Sequence, residues 1–349
     1  MSTTGTTRNA TGIAAGSSVV GGIDAVTRRV RLGCLLLGLA ALGVAFVALC
    51  QGATWTSPAQ TLQGLLGRGD QSFVITQWRL PQVTAGLVFG AALGLAGAVF
   101  QNLTRNPLGS PDVIGLDAGA WTGALVVVAL LGGTSAQLAG GAVLAGTATA
   151  LVVYLLSLKE GFSGLRLVVI GIAVNAMLTA VNSWIVLRAD LDVAIAATAW
   201  SAGSLNGTDW DEVTVPFAVV AGVALLLATQ SRTMHQAALG DEVAVTTGVR
   251  LGTHRLTLVV LGVACTATVT AVAGPIVFVA LAAPQIGRRI TGSAGVPLLP
   301  AALTGALLLV TADLLAQVLT RPVPLPVGVV TTALGGIYLI WLLVKEVRR

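Results

Sequence analysis

Residues that could carry out catalysis are scarce in this 349-residue sequence. Its only histidines, His235 and His254, fall in one short stretch between apolar segments. No HExxH or GxSxG motif occurs, and these motifs would supply a zinc site or a nucleophilic serine. Neither Lys159 nor Lys345 follows a glycine, so the chain has no Walker A loop for ATP phosphates. We therefore predict no catalytic residue, metal or cofactor in this chain, and any energy that its function needs must come from elsewhere.

Polar side chains inside apolar segments are the other candidates for chemistry. Asp313 lies within a predicted membrane helix, where a carboxylate near the midplane costs about 2.5–3.5 kcal/mol. It could couple transport to protons, but a lone acid favours a structural polar contact. In another segment Asn175, Thr179 and Asn182 share one helical face. They could form interhelical hydrogen bonds or line a pathway, and the sequence leaves both interpretations open.

The composition places these residues in a membrane protein. Hydrophobic residues make up 55% of the sequence, charged residues only 9%, and the mean hydropathy is +0.90, values outside the range of soluble domains. The net charge is +5, but the Lys and Arg residues are dispersed among short segments, which argues against a nucleic-acid-binding face. Gly86, Gly90 and Gly94 recur every four residues, so they predict a face for close helix packing. Three apolar stretches each contain one cysteine that we expect to be a buried thiol: Cys34, Cys50 and Cys265.

Ten apolar segments are candidate membrane helices, since about 20 residues span the hydrocarbon core. The predicted spans are 32–50, 82–103, 113–131, 138–158, 167–187, 213–230, 256–274, 275–290, 298–320 and 326–344. The seventh and eighth are separated at Gly274 and Pro275, because proline removes a backbone donor. Residues 1–31, rich in small and polar side chains, are predicted to be a flexible cytoplasmic tail. Residues 32–349 then form the transmembrane domain.

The positive charges predict the orientation of these spans. With a cytoplasmic amino terminus, fifteen of the 19 Lys and Arg residues lie on the cytoplasmic side. The four exceptions are Arg68, Arg79, Arg188 and Arg321. An even number of spans returns the carboxyl terminus to the cytoplasm. The chain is therefore predicted to be a multi-pass protein of the cytoplasmic membrane.

The longest cytoplasmic connection between spans covers residues 231–255. Residues 236–249 read as a short helix, on which Asp241 and Glu242 would be exposed. The segment also carries small and apolar residues outside the membrane. We expect a partner protein, such as a cytoplasmic motor, to cover them.

Several stretches resemble the FecCD family of type II ABC importer permeases. They include WRLPQ at 78–82, GAVFQNLTRNPLGSPDVIGLDAGAW at 97–121, LGDEVAVTTGV at 239–249, AGPIVFVALAAPQIGRRITG at 273–292 and LPVGVVTTALGGIYLIWLL at 325–343. The resemblance implies an all-α, BtuC-like fold of about ten transmembrane helices with inverted halves. It also implies transport of ferric siderophores by alternating access, with a ferric enterobactin-like catecholate as the narrower expectation. Vitamin B12 and haem are the alternative substrates within the family.

The resemblance further implies partners and the residues that contact them. The partners are a second permease subunit (a heterodimer more than a homodimer), two cytoplasmic ATPases and an external siderophore-binding protein. The implied ATPase-coupling residues are Leu239, Gly240, Asp241, Glu242, Ala244 and Gly248, next to the loop motif Arg105, Asn106 and Pro107. The implied pathway or dimer-interface residues are Asn175, Asn182, Gly328, Gly335 and Gly336. The implied docking residues for the binding protein are Arg68, Arg79 and Arg321.

Two residues depart from the family pattern. Gln285 stands where a histidine follows the proline, so a role that needs an imidazole there is lost. Gln82 replaces a second arginine, which leaves Arg79 alone to supply that charge. Two functions of other classes are weighed against the importer: an ion-coupled secondary transporter that uses Asp313, and an intramembrane enzyme. The enzyme is disfavoured by the shortage of catalytic groups.

Overall fold

The structure is a computed structural model that describes residues 10–52, 54–131, 134–159, 162–293, 295–320 and 323–347. These residues form α-helices joined by short loops, and none of them belongs to a β-strand. The helices are α1 Ala10–Cys50, α2 Pro58–Leu65, α3 Leu80–Thr104, α4 Leu116–Leu131, α5 Ser135–Ser157, α6 Gly164–Arg188, α7 Leu191–Ser201, α8 Trp210–Ala238, α9 Asp241–Thr246, α10 Leu251–Ala273, α11 Val279–Thr291, α12 Leu298–Leu319 and α13 Val327–Val347. A π-helical turn, Val74–Arg79, leads into α3.

Each of the ten predicted spans corresponds to one of these helices. Among the described residues, seven helices are long and apolar enough to cross a membrane unaided: those containing Thr27–Cys50, Val74–Thr104, Ala136–Ser157, Gly164–Arg188, Trp210–Ala238, Leu251–Ala273 and Leu298–Leu319. The other three predicted spans correspond to α4, α11 and α13. Of these, α4 has 16 residues and α11 has 13. The chain is thus an all-α, multi-pass membrane protein.

Two predicted boundaries differ from the structure. The break at Gly274 and Pro275 is confirmed, but α11 begins only at Val279, because Phe278 has a left-handed backbone with φ of 70°. At the amino terminus, α1 begins at Ala10, whereas the first predicted span began at residue 32 and residues 1–31 were predicted to be a tail, of which residues 1–9 lie outside the described residues. Once the apolar part of α1 is helical, each residue added in front of it gains one backbone hydrogen bond without a new nucleation step.

The helix α3 lies at the centre of the bundle and packs against α1, α10, α11 and α12. Its glycine face contacts α12, as the four-residue spacing predicted. A Cβ atom on Gly90 would lie 2.9 Å from Cα of Ala306, and one on Gly94 would lie 2.8 Å from the carbonyl carbon of Ala301. Both distances are too short for a real side chain. The packing interpretation of this stripe is therefore confirmed.

The connection between α8 and α10 differs from the single helix predicted at 236–249. The helix α8 continues to Ala238, and a separate six-residue helix, α9, begins at Asp241. Gly240 separates them with φ of 125°, a backbone conformation that favours glycine. We call the end of the bundle that carries α9 the α9 end, and the opposite end, which carries α2, the α2 end.

The short helices α2 and α7 were not predicted. A sequence signal existed for α2, because Ser57 and Gln60 form a capping box at its start and Pro58 occupies its first turn. Trp210 Nε1 donates a hydrogen bond of 2.8 Å to the carbonyl of Thr76, which joins the start of α8 to the π-helical turn. The α2 end is therefore tied together by short elements between the long helices.

Candidate functional site: the α9 loop and the buried polar clusters

The α9 loop, residues 239–249, exposes apolar side chains outside the membrane-spanning helices. Leu239 is 73% exposed, Val243 43% and Val245 59%. Ala244 instead is fully buried and fixes α9 to the bundle. Gly248 has φ of 86° and, like Gly240, lies in open space. Exposed apolar side chains on a short, fixed helix are suited to contact with another protein.

Asp241 anchors this loop by bridging two arginines from different helices. One carboxylate oxygen accepts from Arg105, at the end of α3, and the other accepts from Arg255, in α10, at 2.6 Å. The hydrogen bond from Arg255, assisted by Arg105, lowers the pKa of Asp241 from its ordinary value of 3.8. The Asp241 side chain is 44% exposed, and it is also paired with two arginines, which the sequence did not indicate. Glu242 is exposed as predicted.

The predicted loop motif Arg105, Asn106 and Pro107 lies directly beside the α9 loop. Arg105 has a left-handed backbone (φ 51°) that ends α3, and its guanidinium also donates to the carbonyl of Ala237 at 2.9 Å. Asn106 Oδ1 accepts from the amide of Leu108 and shapes the turn. Two motifs that are more than 130 residues apart in the sequence therefore form one surface. Sequence reasoning missed Arg255, which the structure adds to this surface.

The five predicted pathway or interface residues do not lie together. Asn182 is fully buried, accepts from the Thr122 hydroxyl at 2.8 Å and donates to the carbonyl of Ala118 at 3.0 Å. The interhelical hydrogen-bond interpretation is thus confirmed for this residue. Gly328 packs on the backbone of Ala202, and Gly335 lies beneath the ring of Phe278.

Asn175 and Gly336 are placed differently from the other three. Asn175 is half-buried and approaches Gly115, where an added Cβ would lie 3.2 Å from Cα of Asn175. Gly336 is half-buried with open space beside it. Of the five predicted residues, these two remain accessible on the single chain.

Asp313 lies in a cluster of side-chain amides at the α2 end. The residue is 1% exposed, and its carboxylate accepts from Gln82 at 3.1 Å and from Gln317 at 2.8 Å. Gln82 also donates to Asn206, whose own amide donates to the carbonyl of Leu325. The cluster therefore joins α3, α12 and the loops before α8 and α13. This geometry agrees with a structural polar contact for Asp313. Gln82 holds the cluster together through its hydrogen bonds, which its departure from the family pattern did not indicate.

Gln285, the other residue that departs from the family pattern, lies in a buried amide pair between α11 and α3. Its Nε2 donates to Gln101 Oε1 at 2.6 Å, and Gln101 Nε2 donates to the carbonyl of Leu281 at 3.0 Å. Both glutamines are at most 4% exposed. The side-chain amide of Gln285 supplies a donor to the buried oxygen of Gln101. Without this donor, the buried oxygen would be left unpaired at a cost in free energy.

The three predicted docking arginines also have different surroundings. Arg68 is exposed at the α2 end. Arg79 instead donates to the carbonyl of Leu49 at 3.0 Å and to the hydroxyl of Thr56 at 2.9 Å. Its guanidinium holds the loop between α1 and α2, so the head group is largely occupied within the chain. Arg321 lies outside the described residues.

Comparisons with known proteins agree with this architecture. The sequence profile of the FecCD transport family matches residues 39–345. The ferric enterobactin transport system permease protein FepG of Escherichia coli K12 is 46% identical over 326 residues, which cover 93% of this chain and 99% of that protein. The Fe(3+) dicitrate transport system permease protein FecD of the same strain is 34% identical over 312 residues, 89% of this chain and 98% of that protein.

A solved structure has the same fold. An inward-facing metal-chelate type ABC transporter superposes with a TM-score of 0.79 at 25% identity, covering 90% of this chain and 99% of that one. The family match spans most of the chain, and the fold of the transporter agrees with it. The chain belongs to the FecCD transport family.

Proposed function

We propose that this chain is the permease subunit of an ATP-driven importer that carries ferric siderophores across the cytoplasmic membrane by alternating access. The observation that carries the proposal is the α9 loop, which presents exposed apolar side chains while Asp241 fixes it to α3 and α10. A surface of this kind transmits movement only if another protein docks on it. No bond of the cargo is made or broken by the chain.

The docking partner in this proposal is a separate cytoplasmic ATPase dimer. Leu239, Val243 and Val245 insert into the ATPase, while Gly240 and Gly248 permit the turns on either side of α9. Glu242 is exposed beside them and contacts the ATPase through its charge. ATP is bound and hydrolysed in the partner, and this chain holds no cofactor of its own. The α9 end then faces the cytoplasm, together with both chain termini.

A second permease subunit covers α6 and α13 in this assembly. The most apolar part of α6 is only 11% buried within the single chain, the smallest fraction among its long apolar helices in the described residues. Met177 and Trp184 on α6 are 61% and 62% exposed, and Ile337 on α13 is 66% exposed. Asn175 and Gly336 lie on the same two helices, so they are the interface candidates that remain. A related but different subunit is the preferred partner.

An extracytoplasmic binding protein delivers the cargo to the α2 end. Arg68 is the exposed candidate for contact with acidic groups of that protein. Arg79 acts there indirectly, because it holds the loop between α1 and α2 in place. The cargo is a ferric catecholate of the enterobactin type, a choice supported by the 46% identical relative that is named for ferric enterobactin transport.

Transport by the reconstituted complex tests the proposal. The chain would be purified with its neighbouring-gene permease, ATPase and binding protein and placed in liposomes. We expect uptake of radioactive ferric enterobactin only with hydrolysable ATP, and competition by other ferric siderophores but not by vitamin B12 or haem. Uptake driven by a proton gradient without ATP would contradict the importer. Uptake of vitamin B12 or haem in preference to the siderophore would contradict the proposed cargo but not the proposed ATP-driven import.

A further inference from the structure

A polar pocket of about 250 Å³ lies beneath the α9 loop. It is lined by the end of α3, the starts of α6 and α10, and the last turn of α8. Its lining includes Arg105, Ser163, Asp241, His254 and Arg255. The volume is several times the share of about 30 Å³ that one water molecule takes in the liquid. The pocket can therefore hold a small oxyanion.

Among the described residues that line this pocket, the charged side chains leave one positive charge in excess. Arg105 and Arg255 carry one positive charge each, and both pair with the single carboxylate of Asp241. The Arg255 side chain is only 18% exposed and lies 4.6 Å from the ring centre of Phe162. Because it is shielded from water, its attraction for an anion is stronger than that of a surface arginine.

Two helices begin at the same pocket. The 25-residue α6 starts after Ser163, the 23-residue α10 starts after Arg250, and neither of these residues caps its helix with a side chain. Amides in the first turn of a helix have no acceptor within that helix. They carry partial positive charge and point out of the helix start, which is where phosphate groups bind in many proteins.

His254 provides an independent sign that this pocket binds a ligand. It is 6% exposed, and its Nδ1 lies 3.2 Å from Gln230 Oε1. His254 is one of the residues that line the pocket, and its Nε2 is buried without a hydrogen-bond partner among the described residues. Leaving a buried polar atom unpaired costs about 1–3 kcal/mol, so native structures usually satisfy such atoms.

We propose that this pocket binds a phosphate group, presented either by free inorganic phosphate or by the head group of an anionic phospholipid. The phosphate oxygens accept hydrogen bonds from Arg255, Arg105 and the first amides of α6 and α10. Because Nδ1 of His254 donates to Gln230 Oε1, its Nε2 accepts a hydrogen bond from a P–OH group of inorganic phosphate or from a hydroxyl of the lipid head group. A bound phosphate neutralises the excess charge and joins α6 to the α9 loop through Arg255 and Asp241. The site concerns the chain itself and does not depend on which cargo is transported.

Binding to the purified full-length chain in detergent tests this proposal. One arm titrates inorganic phosphate by calorimetry, and the other measures phosphatidylglycerol against phosphatidylcholine with the same acyl chains by native mass spectrometry. We expect Arg255→Gln to weaken binding at least about tenfold, since it removes a charge-assisted hydrogen bond. Arg255→Lys keeps the charge and should lose less. Arg232→Gln, an exposed arginine of α8 near the same end, is the matched control and should bind like the parent.

His254→Gln provides a second variant that leaves the Asp241 ion pairs intact, in case Arg255→Gln does not fold. Phosphate binding that both variants weaken identifies the free anion as the ligand. Preference for phosphatidylglycerol alone, lost in the same variants, identifies the lipid head group. The proposal is overturned if neither probe binds. It is also overturned if the folded variants bind as well as the Arg232→Gln control.

Discussion

Asp241 connects the α9 loop to the membrane helices through one carboxylate. Arg105 reaches it from α3 and Arg255 reaches it from α10, so this residue relates the position of the loop to two helices at once. Because the carboxylate is 44% exposed, water screens both pairs. The two ion pairs therefore fix the position of the loop but contribute little to the free energy of unfolding.

Asp241→Asn should loosen the loop with little change in global stability. We expect faster proteolysis within residues 239–249, but a change in unfolding free energy of no more than about 1 kcal/mol. Glu242→Gln removes the same charge from the next residue, which is exposed, and should leave proteolysis unchanged. Limited proteolysis followed by mass spectrometry measures both. Equal protection of Asp241→Asn and the parent would contradict the anchoring role.

The same anchoring should depend on pH in the acid range. The pKa of Asp241 is lowered in the folded chain, so the pairs stabilise the loop fully above the ordinary carboxyl value of 3.8. Their contribution is lost as the pH falls below that value, through the lowered pKa. Proteolysis of the loop should consequently rise only in strong acid in the parent and be independent of this titration in Asp241→Asn.

The hydrogen bonds of Asp313 should contribute more to the free energy of unfolding than the ion pairs of Asp241, because the Asp313 carboxylate is buried. Asp313→Ala would leave the amide of Gln317 without its acceptor and Gln82 with only Asn206, and we expect a loss of roughly 1–3 kcal/mol in unfolding free energy. Asp70→Ala, which removes an exposed acid at the same end, should be neutral. Thermal unfolding in detergent measures both. Asp313→Asn should retain ATP-driven uptake, whereas its complete loss in a folded protein would favour proton coupling.

At the scale of elements, the contact between α3 and α12 depends on the absence of side chains. Gly90→Ala would place a methyl group against the backbone of Gly305 and Ala306, so the two helices would have to separate. We expect a destabilisation of about 1–3 kcal/mol, as for other overpacked cores.

Gly222→Ala is the matched control for this substitution. Gly222 lies inside α8 with nothing within 4 Å of an added Cβ, so alanine there should be neutral or slightly stabilising. Thermal unfolding of both variants in the same detergent measures the difference. Equal stability of the two variants would show that α3 and α12 can move apart without cost.

Element boundaries were the part of the fold that sequence reasoning predicted least well. The apolar runs located ten helices, because burying backbone groups in lipid demands continuous internal hydrogen bonding. The start of α11 and the division of α8 from α9 depend on the backbone conformations of Phe278 and Gly240. A glycine signals such a position in the sequence, but a phenylalanine with positive φ does not.

At the scale of the whole molecule, the exposed face of α6 should contact a second subunit. Met177→Cys, at a position 61% exposed on α6, is expected to form a cross-link to a cysteine placed on the corresponding helix of the second permease subunit when the complex is intact. Leu225→Cys, at a position 71% exposed on α8, should not form one. The three native cysteines are buried and should not interfere. Cross-linking at Leu225 but not at Met177 would show that the second subunit contacts α8 and not α6, which would contradict the proposed interface.

The sequence by itself determined the membrane class, the approximate positions of ten helices and the glycine face of α3. These features follow from local composition and from a helical repeat of 3.6 residues, and both can be read along the chain. It also indicated the loop around Asp241 and the family, through motifs spread over most of the chain.

Only the tertiary structure decided which polar groups meet. Arg105 and Asp241 are 136 residues apart, and Gln82 and Asp313 are 231 residues apart, so no local pattern could pair them. The same is true of the pocket beneath the α9 loop, where α6 and α10 begin beside the two arginines. A buried polar group must find a partner wherever the packed helices place one, and helix packing is a property of the whole chain.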